Sequence, residues 1–171
     1  MRERNLQMRC LVVYYSLTGN TRKVAHDLAK ALGADVLEVR SPRYGRGPIS
    51  FLRGVMDSRR GRTPPIEAAE TTPETYDLVL AAAPTWAWRA APPIRAWLGQ
   101  HRGRIKRAAF VLTCGGACPP SAFKEMAELA GAAPEATLVL KAREIKGKVQ
   151  PPPALADLAK RLKRLKSKPA A

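Results

Sequence analysis

Acidic residues, cysteine, histidine and long apolar runs are all scarce in this 171-residue chain. Each shortage excludes something. Fourteen Asp and Glu face thirty Lys and Arg, a formal net charge of +16. Such a chain attracts anions: nucleic acid, membrane phosphate, an acidic protein or a phosphorylated ligand. Three cysteines (Cys10, Cys114 and Cys118) are too few and too unevenly placed for a disulfide framework. With two histidines, His26 and His101, and no tight acid cluster, a multi-ligand zinc site is not expected. The longest apolar run, Leu78 to Ala83, is far short of the ~20 residues a membrane span needs. The stretch from Leu11 to Tyr15 is too short for the apolar core of a secretory signal. Together these shortages predict a soluble cytoplasmic protein with reduced thiols and no membrane span.

Apolar residues are plentiful, at 46%, and the length suits one domain with a real core. Short apolar runs alternate with helical patterns. Cys10 to Tyr15, Asp35 to Val39, Asp77 to Ala83, Ala108 to Thr113 and Ala136 to Leu140 read as five strands. Between Arg22 and Leu32, Val24, Ala25, Leu28, Ala29 and Leu32 form one helix face, stopped at Gly33. Helices are also expected after Pro92–Pro93, after Pro119–Pro120 and after Pro151–Pro153. The long segment from Arg40 to Tyr76 holds Phe51, Leu52, Val55 and Met56, which predicts a crossover helix between extended loops. Strands alternating with helices predict an α/β fold: a parallel sheet with helices on both faces.

In such a sheet ligands bind beyond the strand C-termini, at the point where strand order reverses. Three loops leave such ends. Ser16-Leu17-Thr18-Gly19-Asn20-Thr21 runs from a strand straight into a helix. Its hydroxyls can donate to phosphate, Gly19 allows close backbone approach, and the helix start offers free N–H groups, with Arg22 and Lys23 close by. Alone, the same residues make an ordinary turn and cap; their place after the first strand favours an anion cradle. The second loop holds Pro84, Thr85, Trp86, Ala87 and Trp88. The third holds Thr113, Cys114, Gly115 and Gly116. Either Trp86 or Trp88, Trp86 foremost, can offer a flat apolar face, whereas Trp97 lies on a helix face with Ile94 and Leu98 and is assigned to the core. Cys114 and Cys118 are read as small residues of a Gly-rich loop rather than a redox pair.

Tyr15-Ser-Leu-Thr-Gly-Asn-Thr21 resembles the phosphate loop of the flavodoxin family. Ala83-Pro-Thr-Trp-Ala-Trp-Arg-Ala-Ala-Pro-Pro93 resembles the flavin-ring loop of short flavodoxin-like proteins, and Thr113-Cys-Gly-Gly116 their Thr-Ser-Gly-Gly loop. The resemblance implies a flavodoxin-like three-layer sandwich over residues 9–166, with strand order 2-1-3-4-5. A basic extension, 1–8, would precede it and a tail, 167–171, would follow. It implies FMN as cofactor, held by the fifteen residues of the three loops, and electron transfer between redox partner proteins as the function. An FMN-dependent NAD(P)H:quinone or small-molecule oxidoreductase of the same fold is the alternative, and a monomer or weak homodimer is expected. A third reading, a nucleic-acid-binding module, rests on charge alone. Aromatic residues, at 6%, give little for base stacking.

The charge is blocky. Residues 40–62 hold seven arginines and one carboxylate, residues 89–107 six Lys and Arg and no carboxylate, and residues 141–171 ten against two. Carriers of this family are usually acidic, so the expected partner here is acidic. Basic residues around the flavin are expected to raise its potential.

Overall fold

The computed structural model describes residues 8–45 and 47–165. The extension expected over 1–8 and the tail over 167–171 lie outside these residues, apart from Met8, which is buried in the core. Strand and helix alternate along the chain: β1 (Cys10–Tyr14), α1 (Asn20–Leu32), β2 (Asp35–Glu38), α2 (Pro48–Arg59), β3 (Leu78–Trp86), β4 (Arg89–Ala90), α3 (Pro92–Gln100), β5 (Ala108–Cys114), α4 (Ser121–Ala130), β6 (Pro134–Lys141), α5 (Ala142–Ile145) and α6 (Pro153–Arg164). The five long strands are parallel, in the order β2-β1-β3-β5-β6. This is the expected order. β4 is an added two-residue strand, antiparallel to the end of β3.

The near-continuous apolar runs are explained by burial on both faces. Along β1, Leu11 and Val13 enter one core and Cys10, Val12 and Tyr14 the other. β3 and β5 divide in the same way. The first core is closed by Ile94, Trp97 and Leu98 of α3 and Met126 of α4. The second is closed by Val24, Leu28 and Leu32 of α1 and Leu155, Leu158 and Leu162 of α6. Trp97 is buried, as its helical spacing predicts.

Two elements depart from the reading of the sequence. β3 runs on through Pro84 to Trp86, because the loop beyond it folds back as a hairpin instead of leaving the sheet. α2 forms where its apolar residues suggest, but most of their surface does not face the core: Val55 is half-buried, and Phe51 meets the Trp86 ring with one edge only. The buried positions of α2 are Gly54, Asp57 and Ser58, whereas Ile49, Phe51, Leu52 and Met56 are exposed.

Candidate functional site

Strand order reverses at β1: the chain leaves it for β2 on one side and β3 on the other. The loops after β1, β3 and β5 therefore meet above the same end of the sheet.

The loop after β1 is built by glycine. Gly19 sits at φ +95°, a backbone region that side chains rarely adopt, and a Cβ there would meet nothing within 4 Å. Its N–H donates to Ser16 Oγ at 3.1 Å, closing the loop on itself. No side chain caps α1. The first N–H groups of a helix have no partner inside it, so the unfilled cap leaves donors and the positive end of the helix dipole for an anion. Thr18 is exposed, and Ser16, Leu17 and Asn20 are half-buried. Thr21 stands differently. It is buried, with its hydroxyl 2.8 Å from Thr113 Oγ1, so the pair ties the first loop to the third. Arg22 and Lys23, expected near the anion, both have carboxylate partners: Arg22 bonds Glu38 at 2.5 Å and Lys23 bonds Asp27 at 2.8 Å.

A cavity of about 340 Å³ opens over this loop, lined by Tyr15 to Gly19 and, on its far wall, by Arg22, Glu38, Arg40, Ser41, Tyr44 and Gly45. Arg22, expected near the anion, does line it. The rest of the far wall escaped the reading of the sequence: Glu38 ends β2, and Arg40, Ser41, Tyr44 and Gly45 of the long crossover segment, which has no local pattern, are brought there only by the pairing of β1 with β2. Glu38 is held by both Arg22 and Arg40. Burial pushes its pKa up, but the two guanidiniums outweigh this and leave it below the ordinary carboxylate value.

The loop after β3 separates the two tryptophans. Trp86 is only 4% exposed. Its ring meets those of Tyr15, Tyr44 and Phe51 edge-on, at centroid distances of 5.6, 5.4 and 6.1 Å. Its carbonyl accepts from Ser58 Oγ at 2.7 Å. The indole expected foremost as a flat binding face is therefore enclosed by protein. Trp88, two residues on, is 63% exposed. Trp86 pairs with Arg89 across a two-residue turn, and both turn residues, Ala87 at φ +48° and Trp88 at φ +63°, are left-handed. Neither is glycine, so the turn holds Trp88 out at a backbone cost of about 1–2 kcal/mol per residue. Strain of this kind collects at functional loops.

The loop after β5 carries exposed Gly115 and Gly116, where a Cβ would meet nothing within 4 Å. The thiol of Cys114 donates to the Gly116 carbonyl at 3.2 Å, and Cys118 Sγ lies 3.2 Å from Thr85 Oγ1. Burial, then the neighbouring Cys118, raises the Cys114 pKa, so this thiol is protonated at neutral pH.

Two further clusters hold the loops. Asp57 of α2 is 2% exposed and accepts from Arg43 Nε at 2.5 Å and from the Tyr44 hydroxyl at 3.1 Å, with Arg62 at 3.5 Å. Burial and the Asp57 bond push the Tyr44 hydroxyl up to about 12. Glu125 of α4 binds Arg89 of β4 and Arg95 of α3. Asp57 was findable as the one carboxylate among seven arginines; no local signal pairs Glu125 with residues 30 and 36 positions away.

Among the described residues no group of His, Cys, Asp and Glu is placed to hold a metal ion, and no helix is long and apolar enough to cross a membrane. The residues present fit a flavin mononucleotide in three respects: an anion cradle at an uncapped helix start, an exposed indole, and an open Gly-Gly turn supplying backbone groups.

No curated protein matches the chain in sequence. Solved structures do match in fold. The flavoprotein from Lactobacillus acidophilus NCFM, crystallised in complex with FMN, is 22% identical with a TM-score of 0.70, over 77% of this chain and 93% of its own. Oxidised flavodoxin 1 from Bacillus cereus is 16% identical with a TM-score of 0.54, over 95% of this chain and 99% of its own. Identities this low establish the shared fold alone. The flavodoxin family model matches residues 9–142 of the sequence itself. That match spans β1 to the start of α5 and takes in all three loops; this chain belongs to the flavodoxin family.

Proposed function

We infer that this protein binds FMN and passes electrons between protein partners through it. The observation that carries the reading is the loop after β1, where an uncapped helix start and a left-handed Gly19 open onto a cavity. When bound, the flavin supplies the redox chemistry; the protein positions it and tunes its potential. Ser16, Thr18 and the N–H groups of Leu17, Thr18, Asn20 and Thr21 hold the phosphate, with the Gly19 N–H kept on Ser16 Oγ to shape the loop. The buried Thr21–Thr113 bond keeps the first and third loops in fixed relation beneath it. Trp88 takes the stacking role in place of Trp86, and Pro84, Thr85, Ala87 and the Cys114–Gly116 turn border the ring. Buried Trp86 acts beneath them by setting the height of the hairpin.

The partner is an acidic protein, as the basic surplus suggests, and the site is cytoplasmic, as the sparse cysteines suggest. FMN added to the purified protein should survive desalting, with visible flavin absorbance at one equivalent. Absorbance lost entirely on desalting, together with no measurable affinity by fluorescence titration, defeats the reading. Sustained NAD(P)H oxidation by the loaded protein, with no second protein present, would move it to the reductase alternative.

A further inference from the structure

We propose that the outward face of α2 is the docking surface for the acidic redox partner. The helix is folded inside out. Ile49, Leu52 and Met56, spaced i, i+3 and i+7, form one stripe and are 76%, 62% and 37% exposed. Phe51, 50% exposed, flanks them. The inner face carries Gly54, Asp57 and Ser58 instead. An apolar stripe left on water in this way marks a contact surface.

Specific contacts enforce the orientation. A Cβ on Gly54 would lie 2.4 Å from Trp86 Cζ3, so the helix backbone rests directly on that ring. Asp57 is pinned by Arg43 and Tyr44, and Ser58 donates to the Trp86 carbonyl. Arg89 Nη1 donates to the Ser58 carbonyl at 2.9 Å. Rotating the helix to bury Leu52 would break all of these.

Charge selects the occupant. Arg53, Arg59 and Arg60 are exposed beside the stripe, and among the described residues none of the three has an ion pair or hydrogen bond from its side chain. The six arginines at the three carboxylate clusters are all paired. A second copy of the chain would bring the same unpaired arginines, and a +16 charge, against themselves. A protein with carboxylates around an apolar centre complements both features, and arginine, methionine and aromatics are the residues interfaces favour. The Ser58–Trp86 bond ties α2 to the loop carrying Trp88. A partner on α2 therefore sits beside that loop, and its redox role rests on the electron-carrier reading above.

Amide shifts of the isotopically labelled, FMN-supplied protein, titrated with an acidic [2Fe–2S] ferredoxin, test the surface. The perturbed amides should cluster on residues 48–60 and 86–90. Arg53→Glu with Arg59→Glu should weaken binding about tenfold at low salt. Leu52→Ser should weaken it several-fold, about equally at low and high salt. Lys160→Glu with Lys163→Glu on α6 should change it less than about twofold. Absence of association overturns the proposal, as do perturbations centred on α6 or a Leu52→Ser variant that binds like the parent. Phosphatidylserine vesicles that retain the protein through Leu52 while ferredoxin does not would make the face a lipid surface instead. A parallel FMN titration separates the two readings. No FMN binding with the α2 map intact removes the carrier reading and leaves the surface; bound FMN with the map elsewhere removes the surface alone.

Discussion

At the residue scale, the two tryptophans of one loop show how little a spacing of two says about role. Trp86 and Trp88 share a sequence context, yet one is enclosed by Tyr15, Tyr44 and Phe51 and the other stands in solvent. Their variants should separate. Trp88→Ala should weaken FMN retention several-fold with an unchanged melting temperature, and Thr18→Ala should also weaken it. Trp86→Ala should cost about 3–5 kcal/mol of stability, read from denaturant unfolding, because it empties a packed core site. Equal FMN affinity in Trp88→Ala, Thr18→Ala and the parent would show that the flavin site lies elsewhere. Gly54→Ala should also destabilise, by about 1–3 kcal/mol, since its Cβ meets the Trp86 ring, a rigid neighbour held on every side. A melting temperature at or above that of the parent would contradict that contact.

At the element scale, three carboxylates each hold two arginines: Glu38 with Arg22 and Arg40, Asp57 with Arg43 and Arg62, Glu125 with Arg89 and Arg95. They join β2 to α1, α2 to the segments flanking it, and α4 to β4 and α3. All three carboxyls lie below their ordinary values. For Asp57 the Arg43 bond is the main cause; for Glu38 and Glu125 the arginines outweigh an upward push from burial. A carboxyl with a lowered folded-state pKa adds stability that is complete above its unfolded value. That stability is lost as pH falls through the folded value. The urea midpoint should therefore hold from neutral pH down to about pH 5 and fall below about pH 4. Asp57→Asn should lower the midpoint at neutral pH, by about 2 kcal/mol in stability, and flatten its acid dependence. A variant as stable as the parent at pH 7 would mean that Asp57 is not a fastening point.

At the scale of the whole molecule, the charge does two separable things. Each of the three clusters nets one positive charge, so the surroundings of the proposed flavin site carry a basic surplus. FMN bound here should have a higher reduction potential than in an acidic flavodoxin, because positive surroundings favour electron gain. Equilibration with redox dyes measures this, and a potential as low as that of the acidic proteins would count against it. The unpaired arginines act outward. Electron exchange with an acidic partner should slow as ionic strength rises, and a rate flat with salt would remove the steering role.

Much of the fold was legible because its elements are local. Parallel strands buried on both faces read as apolar runs, and α1, α3 and α6 carry their periodicity openly. The turn after β1 was legible too, since strand, loop and helix are contiguous and glycine is the residue type suited to the left-handed backbone at position 19. The sequence by itself thus determined the alternation of elements, the strand order implied by its family resemblance, and the glycine turn that opens α1. Tertiary structure alone decided which tryptophan is free, which carboxylate holds which arginines, and that α2 turns its apolar side to water. Most of those outcomes depend on contacts between residues 13 to 92 positions apart, such as Tyr44 with Asp57, Ser58 with Trp86 and Thr21 with Thr113. Burial and pairing across such separations are set when the sheet brings the loops to one end, and no local pattern encodes them.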